Sequence, residues 1–156
     1  MSNDNIIIDK IEPIGSGVFG DVYDQFKGKA EEAFNFLISN QGGDLLGVFH
    51  REELGDIDLV WGDESGGLKH IILKHIGDNK SFSNTEEAMM VINSVIESGE
   101  VVHETIDKAV LQKENKLVTI RRNYRENGKK IADKNWVLTA YDEKAADDRS
   151  AITVSN

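Results

Sequence analysis

The sequence predicts an α+β fold in which N-terminal helices pack on an antiparallel four-stranded sheet. Apolar residues recur every three or four positions in three segments before residue 98, the spacing typical of amphipathic helices. Four β-like runs separated by short turns then follow between residues 100 and 141, as expected for an antiparallel meander. Helices first and an antiparallel sheet later indicate the α+β class.

The first helix is predicted from Val22 to Asn40, with Asp21 as its N-cap and Gly42-Gly43 at its end. Its spacing of three and four rests on seven apolar or aromatic positions: Val22, Phe26, Ala30, Ala33, Phe34, Leu37 and Ile38. Residues 1–15 before it are predicted to be a lead-in. After it, residues 45–50 and 57–61 have the composition of β-strands, and residues 63–67 have that of a turn.

The stretch GLKHIILKH, from Gly67 to His75, predicts a short second helix. Four of its residues fall at i, i+3, i+4 and i+7 on one buried stripe: Leu68, Ile71, Ile72 and His75. His70 lies about 140° round the helix from His75 at 100° per residue, so the two histidines should not share a face. Zinc-binding helical pairs use i, i+4 spacing, and we therefore expect no metal here.

A third helix should begin at Ser83-Asn84-Thr85, followed by two glutamates, because such side chains satisfy unpaired N–H groups and suit the positive helix end. It is predicted to run to Glu97, with Gly99 stopping it. The meander that follows comprises residues 100–105, 108–112, 116–124 and 130–141. An Asn127-Gly128 pair, a strong hairpin signal, lies in its last turn.

Length and composition limit the class of protein. A chain of 156 residues fits one domain with a real hydrophobic core, and the absence of cysteine excludes disulfides and thiolate metal sites. The N-terminus has neither the basic region of a secretory signal nor a spanning apolar segment, which predicts a soluble protein with no membrane partner.

The charge is unevenly distributed. The net charge of −10 argues against broad polyanion binding, which depends on many lysines and arginines. Residues 113–134, however, hold eight Lys or Arg against three Asp or Glu, a net +5 that leaves −15 for the remainder. This basic strip suits local phosphate contact, although an ordinary solvated hairpin is the equally weighted structural reading.

Residues with useful chemistry occur in the second helix and in the last two runs. Alternation places Thr139 and Tyr141 on one face of their strand with Val137, and it separates Arg121 from Arg122 without deciding which faces the helices. The face of Val118 and Ile120 is the more core-like, which makes Arg122 the inward candidate if it is buried. Together with His75, such residues could supply the base, the cation and the acid of metal-independent RNA cleavage. The structural reading is a core histidine, surface ion pairs and good β-formers.

A family resemblance favours the first reading. The stretches FGDVYDQFKGKAEEAFNFLISNQGGDLLGVFHREELGDIDLVWGD, GLKHIILKH and NWVLTAYD resemble, in this order, the phage-associated nuclease domains of the Barnase-EndoU-colicin-RelE (BECR) group. The likeness covers roughly residues 15–143, with GDIDLVWG and NWVLTAY the most specific parts. It implies a BECR-like RNase fold in a single domain of residues 16–143. The mixture of small and charged residues in 144–156 separately predicts a flexible tail.

The resemblance also implies roles for individual residues. The histidine at the end of the GLKHIILKH helix falls on His75 and the earlier one on His70. The basic strand residue falls on Arg121 or Arg122, and the strand hydroxyl falls on Thr139, followed by Tyr141. We expect four further residues to bind the substrate, namely Lys69, Lys74, Trp61 and Asn135, and we expect no cofactor.

The leading hypothesis is therefore a metal-independent endoribonuclease, a toxin or effector domain of phage or mobile-element origin. Its substrate would be a structured RNA such as tRNA, whose shape could overcome the acidic net charge. It would act in the cytoplasm, its own or that of a target cell, with an immunity or antitoxin protein as its neutralising partner. The alternative is a catalytically degenerate binding module of the same fold that acts through a basic protein partner. A third reading, an antitoxin or nucleic-acid mimic, rests on the acidic first third alone.

Overall fold

The computed structural model describes residues 10–145, in which three helices and an eight-stranded mixed sheet are present. The helices are α1 (Ala30–Asn40), α2 (Leu68–His75) and α3 (Thr85–Ser98). The strands are β1 (Gly15–Gly17), β2 (Gly20–Tyr23), β3 (Asp44–Arg51), β4 (Gly55–Val60), β5 (Glu100–Glu104), β6 (Lys108–Lys113), β7 (Lys116–Glu126) and β8 (Lys129–Asp142). The predicted lead-in and tail lie outside the described residues over 1–9 and 146–156.

The α+β class is confirmed, but the sheet is larger than the four antiparallel strands predicted. Its order is β1-β2-β3-β4-β8-β7-β6-β5, with β2 parallel to β3 and β4 parallel to β8. The two β-like runs before α2 therefore belong to the same sheet as the meander. The first four strands join the meander where Asp58 of β4 pairs with Trp136 of β8. The sequence could not reveal this pairing because the two residues are distant along the chain.

The meander itself is confirmed. Strands β5 to β8 pair antiparallel in chain order, and no helix interrupts residues 116–124. Asn127 and Gly128 have φ of 51° and 79°, the positive values that a type I′ hairpin turn requires, and Glu126 pairs with Lys129 across the turn.

The predicted start of the first helix is wrong. α1 begins at Ala30, and the segment expected to open it is instead β2, where Val22 and Tyr23 pair with Asp44 and Leu45 of β3. Asp21 consequently lies in a strand and caps nothing. Phe26 is buried in the core and Val22 is half-buried, so their spacing reflected burial and was not helical.

The third helix follows its sequence signals closely. The Asn84 side chain accepts a hydrogen bond from the Glu87 backbone N–H at 2.8 Å, and the Glu87 carboxylate accepts one from the Ser83 N–H at 2.7 Å. This reciprocal arrangement satisfies two otherwise unpaired donors at the helix start. α3 then packs its buried residues, including Ile92 and Ile96, into a hydrophobic core shared with α1, α2 and the sheet.

Candidate functional site

Helix α2 packs against β8, close to the C-terminal end of β4. The Gly67 N–H donates to the Leu138 carbonyl at 2.9 Å, and the Lys69 N–H donates to the Trp61 carbonyl at 2.8 Å. Gly67 has φ of 101°, and a Cβ there would lie 2.7 Å from the Trp61 carbonyl oxygen, so only glycine fits this approach. The bond from Gly67 places the first turn of α2 against β8, and the bond from Lys69 fixes that turn to the residue after β4.

A β-bulge at Leu138 decides which side chains of β8 face α2. Thr119 pairs with Thr139 but Ile120 pairs with Val137, so Leu138 is the extra residue. Val137 and Ala140 therefore both enter the core, whereas Thr139 and Tyr141 face the other way and stay half-buried. The prediction that Val137 shares a face with Thr139 and Tyr141 is wrong because a bulge breaks strict alternation.

His70 bridges α2 and β8. Its Nδ1 lies 2.8 Å from the Glu64 carbonyl oxygen, and its Nε2 lies 3.0 Å from the Thr139 hydroxyl. A carbonyl can only accept, so Nδ1 carries the hydrogen, and in the neutral ring Nε2 then accepts from the Thr139 hydroxyl. The Glu64 carbonyl, in the loop before α2, thus fixes the tautomer of His70 and leaves the basic Nε2 next to the Thr139 hydroxyl.

His75 completes a four-residue cluster. Its ring lies 5.3 Å from that of His70, centroid to centroid, and stacks on Tyr141 at 5.9 Å with an interplanar angle of 29°. The expectation that the two histidines point apart is therefore wrong: although their Cα positions diverge round the helix, both side chains turn toward β8. Burial, followed by the nearby Glu143 charge, raises the pKa of Tyr141, so its hydroxyl keeps its proton at neutral pH. We call these four residues, His70, His75, Thr139 and Tyr141, the histidine cluster.

The two candidate arginines point to different places. Arg122 donates to Glu104 at 2.7 Å and lies near Ile106, Lys134 and Asn135, away from the histidine cluster. Arg121 instead pairs with Trp136 and lines a cleft of about 380 Å³ with Ser65, Gly66 and Leu138. Those residues flank Glu64 and Thr139, the two hydrogen-bond partners of His70. Arg121 has no carboxylate within 4.0 Å among residues 10–145, so it is the arginine beside the cluster that is able to meet an anion.

The four expected substrate-binding residues do not form one group. Lys69 and Lys74 lie on α2, half-buried and exposed respectively, near the cluster along the helix. Trp61 packs against the core and its carbonyl holds the first turn of α2, so it supports the site structurally. The Asn135 amide donates to the Leu54 and Asp56 carbonyls at 2.7 and 3.2 Å, which ties β8 to the start of β4.

Sequence reasoning missed several residues that shape the site. Glu64 contributes through its backbone carbonyl, which leaves no side-chain signal. Phe19, Tyr124 and Arg125 line the cleft that Arg121 borders, yet Phe19 comes from the β1–β2 turn, far along the chain. Its sequence signal was present, an aromatic residue in the glycine-rich stretch GSGVFG, but only the pairing of distant strands places it here.

Two further observations concern the described part of the chain. Within residues 10–145, no three His, Asp or Glu side chains are grouped so that they could hold a metal ion. None of the helices there has the length and apolar character that crossing a membrane requires.

Comparison with known proteins gives one match. A family model described as phage-Barnase-EndoU-ColicinE5/D-RelE like nuclease1 matches residues 48–147, close to two-thirds of the chain. Comparisons with curated proteins and with solved structures give no match. The matched range contains the whole histidine cluster and Arg121, whereas Phe19 lies before it.

Proposed function

We propose that this chain, which belongs to the phage Barnase-EndoU-ColicinE5/D-RelE-like nuclease family, is an endoribonuclease that needs no metal ion. The observation on which the proposal rests is the hydrogen bond between His70 Nε2 and the Thr139 hydroxyl, with His75 and Tyr141 in contact beside it. A basic imidazole nitrogen, a second imidazole and a protonated phenol within one small site provide the groups for proton transfer at a phosphodiester.

The reaction proceeds by attack of a ribose 2′-hydroxyl on the adjacent phosphorus. A substrate 2′-hydroxyl displaces the Thr139 hydroxyl from His70 Nε2, which accepts the 2′-hydroxyl proton as the O2′–P bond forms, while the Nδ1–H bond to the Glu64 carbonyl holds the imidazole in place. The new Nε2–H can then donate to the Thr139 hydroxyl. The P–O5′ bond breaks as His75, in its imidazolium form, gives a proton to the departing O5′. The products are a 2′,3′-cyclic phosphate and a 5′-hydroxyl end.

Two groups stabilise the phosphorane-like transition state. The Arg121 guanidinium offers positive charge to the non-bridging oxygens, because no carboxylate among the described residues lies within 4.0 Å of it. The Tyr141 hydroxyl, which is protonated at neutral pH as in any tyrosine and whose pKa burial raises further, donates a hydrogen bond to the same oxygens. Both contributions are larger in the transition state than in the ground state, which is what accelerates the step.

A structured RNA such as tRNA fits the charge distribution as substrate. The strip of residues 113–134 carries +5 and contains Arg121, while the rest of the chain carries −15 and would repel RNA that does not fit the site. Such an enzyme would act as a toxin or effector in a cytoplasm, and an immunity or antitoxin protein would neutralise it.

The test is to incubate the purified protein with total RNA in excess chelator and to sequence the new 5′-hydroxyl ends. We expect discrete cuts that persist in chelator and that disappear with the His70→Ala/His75→Ala double variant. Single-stranded and duplex DNA should remain intact under the same conditions. Full-length RNA in every sample would refute the enzyme and favour the catalytically degenerate binding module.

Replacing Arg121 by Gln should lower the cleavage rate by roughly 10²-fold, the scale expected when one transition-state charge partner is lost. Arg122→Gln is the matched control, since Arg122 is paired with Glu104 on the far side of the strand and should change the rate less than about threefold. Single-turnover rates on one RNA would measure both. Equal losses in the two variants would contradict the assignment of Arg121.

A further inference from the structure

A cleft with aromatic lining includes Arg121 and extends beyond the groups that the proposed reaction uses. It has a volume of about 380 Å³, within the range of small-molecule sites, and its lining includes Arg121, Gly66 and Leu138, the residue before Thr139. Its lining also includes Phe19, Tyr124, Arg125 and Asp63, whose carboxylate accepts hydrogen bonds from the Ser65 N–H and hydroxyl. Arg121, the proposed partner of the scissile phosphate, therefore lines the same cleft as an aromatic wall.

The aromatic wall is built on a buried base. The Phe19 ring lies 4.8 Å from that of Trp136 and 5.3 Å from that of Tyr124, tilted or edge-on to each. Trp136 is buried and donates its indole N–H to the Asn123 carbonyl at 3.0 Å, which holds the base of the wall in place. Phe19 and Tyr124 remain half-buried, so they present ring surface to the cleft.

The polar side of the cleft is fixed in a different way. The Arg125 guanidinium is held by Asp107 at 3.2 Å and by the Gly128 carbonyl at 3.1 Å. The Asn123 amide also donates to Asp107, at 2.7 Å. Within residues 10–145, the Arg121 side chain makes one hydrogen bond, a 3.5 Å contact to the Asn123 Oδ1, and its charge also acts on Asp107. The cleft thus offers a cation at Arg121 together with aromatic surface and a restrained guanidinium plane.

We propose that this cleft binds the unpaired nucleotide that carries the scissile phosphate. Its base stacks on the Phe19–Tyr124 wall, and the scissile phosphate lies at Arg121. Every base has a flat aromatic face, so such a wall takes any unstacked base but excludes bases that are already paired and stacked in a duplex. This inference rests on the proposed function and adds its substrate class: RNA cut in single-stranded loops or ends.

The proposed nucleotide site is tested by measuring the binding of RNA, not its cleavage. A fluorescent single-stranded RNA dodecamer with 2′-O-methyl groups at every position cannot be cut, and its duplex form serves as the comparison. Phe19→Ala should weaken binding of the single strand by about tenfold, the scale of one lost stacking contact, and should change duplex binding less than twofold. Phe19→Trp should restore single-strand binding. Val18→Ala, an exposed neighbour in the same turn, is the matched control and should have no effect.

A second measurement uses the unaltered protein, in case a variant fails to fold. A 4-thiouridine in the single strand should cross-link on irradiation to peptides containing Phe19 or Tyr124. Unchanged binding by Phe19→Ala, an equal loss for the duplex, or cross-links confined to other surfaces would overturn the inference. Cleavage of natural RNA that is insensitive to Phe19→Ala would also overturn it while leaving the ribonuclease intact. Phe19-dependent binding without any cleavage would instead refute the ribonuclease and support the nucleotide site.

Discussion

Replacing His70 by alanine is expected to lower the single-turnover rate of RNA cleavage by roughly 10²- to 10⁴-fold, the range that general acid–base catalysis supplies. His70 donates its Nδ1–H to the Glu64 carbonyl, and this bond directs Nε2 at the Thr139 hydroxyl on β8. Its removal deletes the base, while binding of RNA at Arg121 and at the cleft should remain. The affinity for uncleavable RNA should therefore change much less than the rate.

His103→Ala is the matched control for this experiment. His103 is exposed on β5, and β7 and β6 separate that strand from β8, against which α2 packs. Thr139→Val keeps the shape of the side chain but removes the hydroxyl, so it should give an intermediate loss of about tenfold through poorer positioning of His70. A His70→Ala enzyme as fast as the His103→Ala enzyme would eliminate His70 as the base.

The second large effect concerns stability. Lys134→Met is expected to destabilise the fold by about 3–5 kcal/mol, which raises the unfolding constant by roughly two to four orders of magnitude. The Lys134 ammonium lies 2.9 Å from Asp44 and 2.5 Å from Asp58, and all three side chains are largely buried. It connects β8 to β3 and β4 at the junction where β4 and β8 share only the pairing of Asp58 with Trp136. Without it, two carboxylates face each other with no counter-charge.

This loss should depend on pH in a defined direction. Burial raises the pKa of Asp44 and Lys134 lowers it, so removing Lys134 leaves burial and the repulsion from Asp58 to raise it further. A carboxyl whose folded-state pKa lies above its unfolded value favours folding when it is protonated. The deficit of the Lys134→Met variant should therefore shrink as the pH falls from neutrality toward the ordinary aspartate range.

Urea unfolding at several pH values would measure the effect of Lys134→Met. Lys130→Met is the matched control, since its partner Asp133 is exposed and the pair should contribute almost nothing measurable. A deficit that is constant with pH, or a Lys134→Met variant as stable as the control, would contradict this account of the junction.

Local signals in the sequence predicted the local parts of the structure well. The Asn84 cap of α3 and the Asn127-Gly128 turn each depend on a few adjacent residues, so the residue types largely determine the geometry. The sequence also predicted the extent of α2, because Leu68 and Ile71 are buried on one stripe as the periodicity indicates. These elements require no knowledge of distant partners.

The errors arose where distant residues decide the conformation. β2 is a strand because β3 lies parallel beside it, a pairing that overrides the helical spacing of Val22 and Phe26. The bulge at Leu138 sets the faces of β8 and cannot be seen in a single strand. For the same reason, alternation could not choose between Arg121 and Arg122, and a helical projection could not show that the rings of His70 and His75 meet over β8.

The most direct test of the central claim, that the histidine cluster cleaves RNA through the ribose 2′-hydroxyl, uses one RNA with a single mapped cut. A 2′-deoxy substitution at the nucleotide preceding that cut should abolish cleavage there in excess chelator, while the all-ribose strand yields a 2′,3′-cyclic phosphate and a 5′-hydroxyl end. Mass spectrometry of the two fragments identifies these ends. A cut that persists in the 2′-deoxy strand, or fragments that carry a 5′-phosphate, would contradict the mechanism.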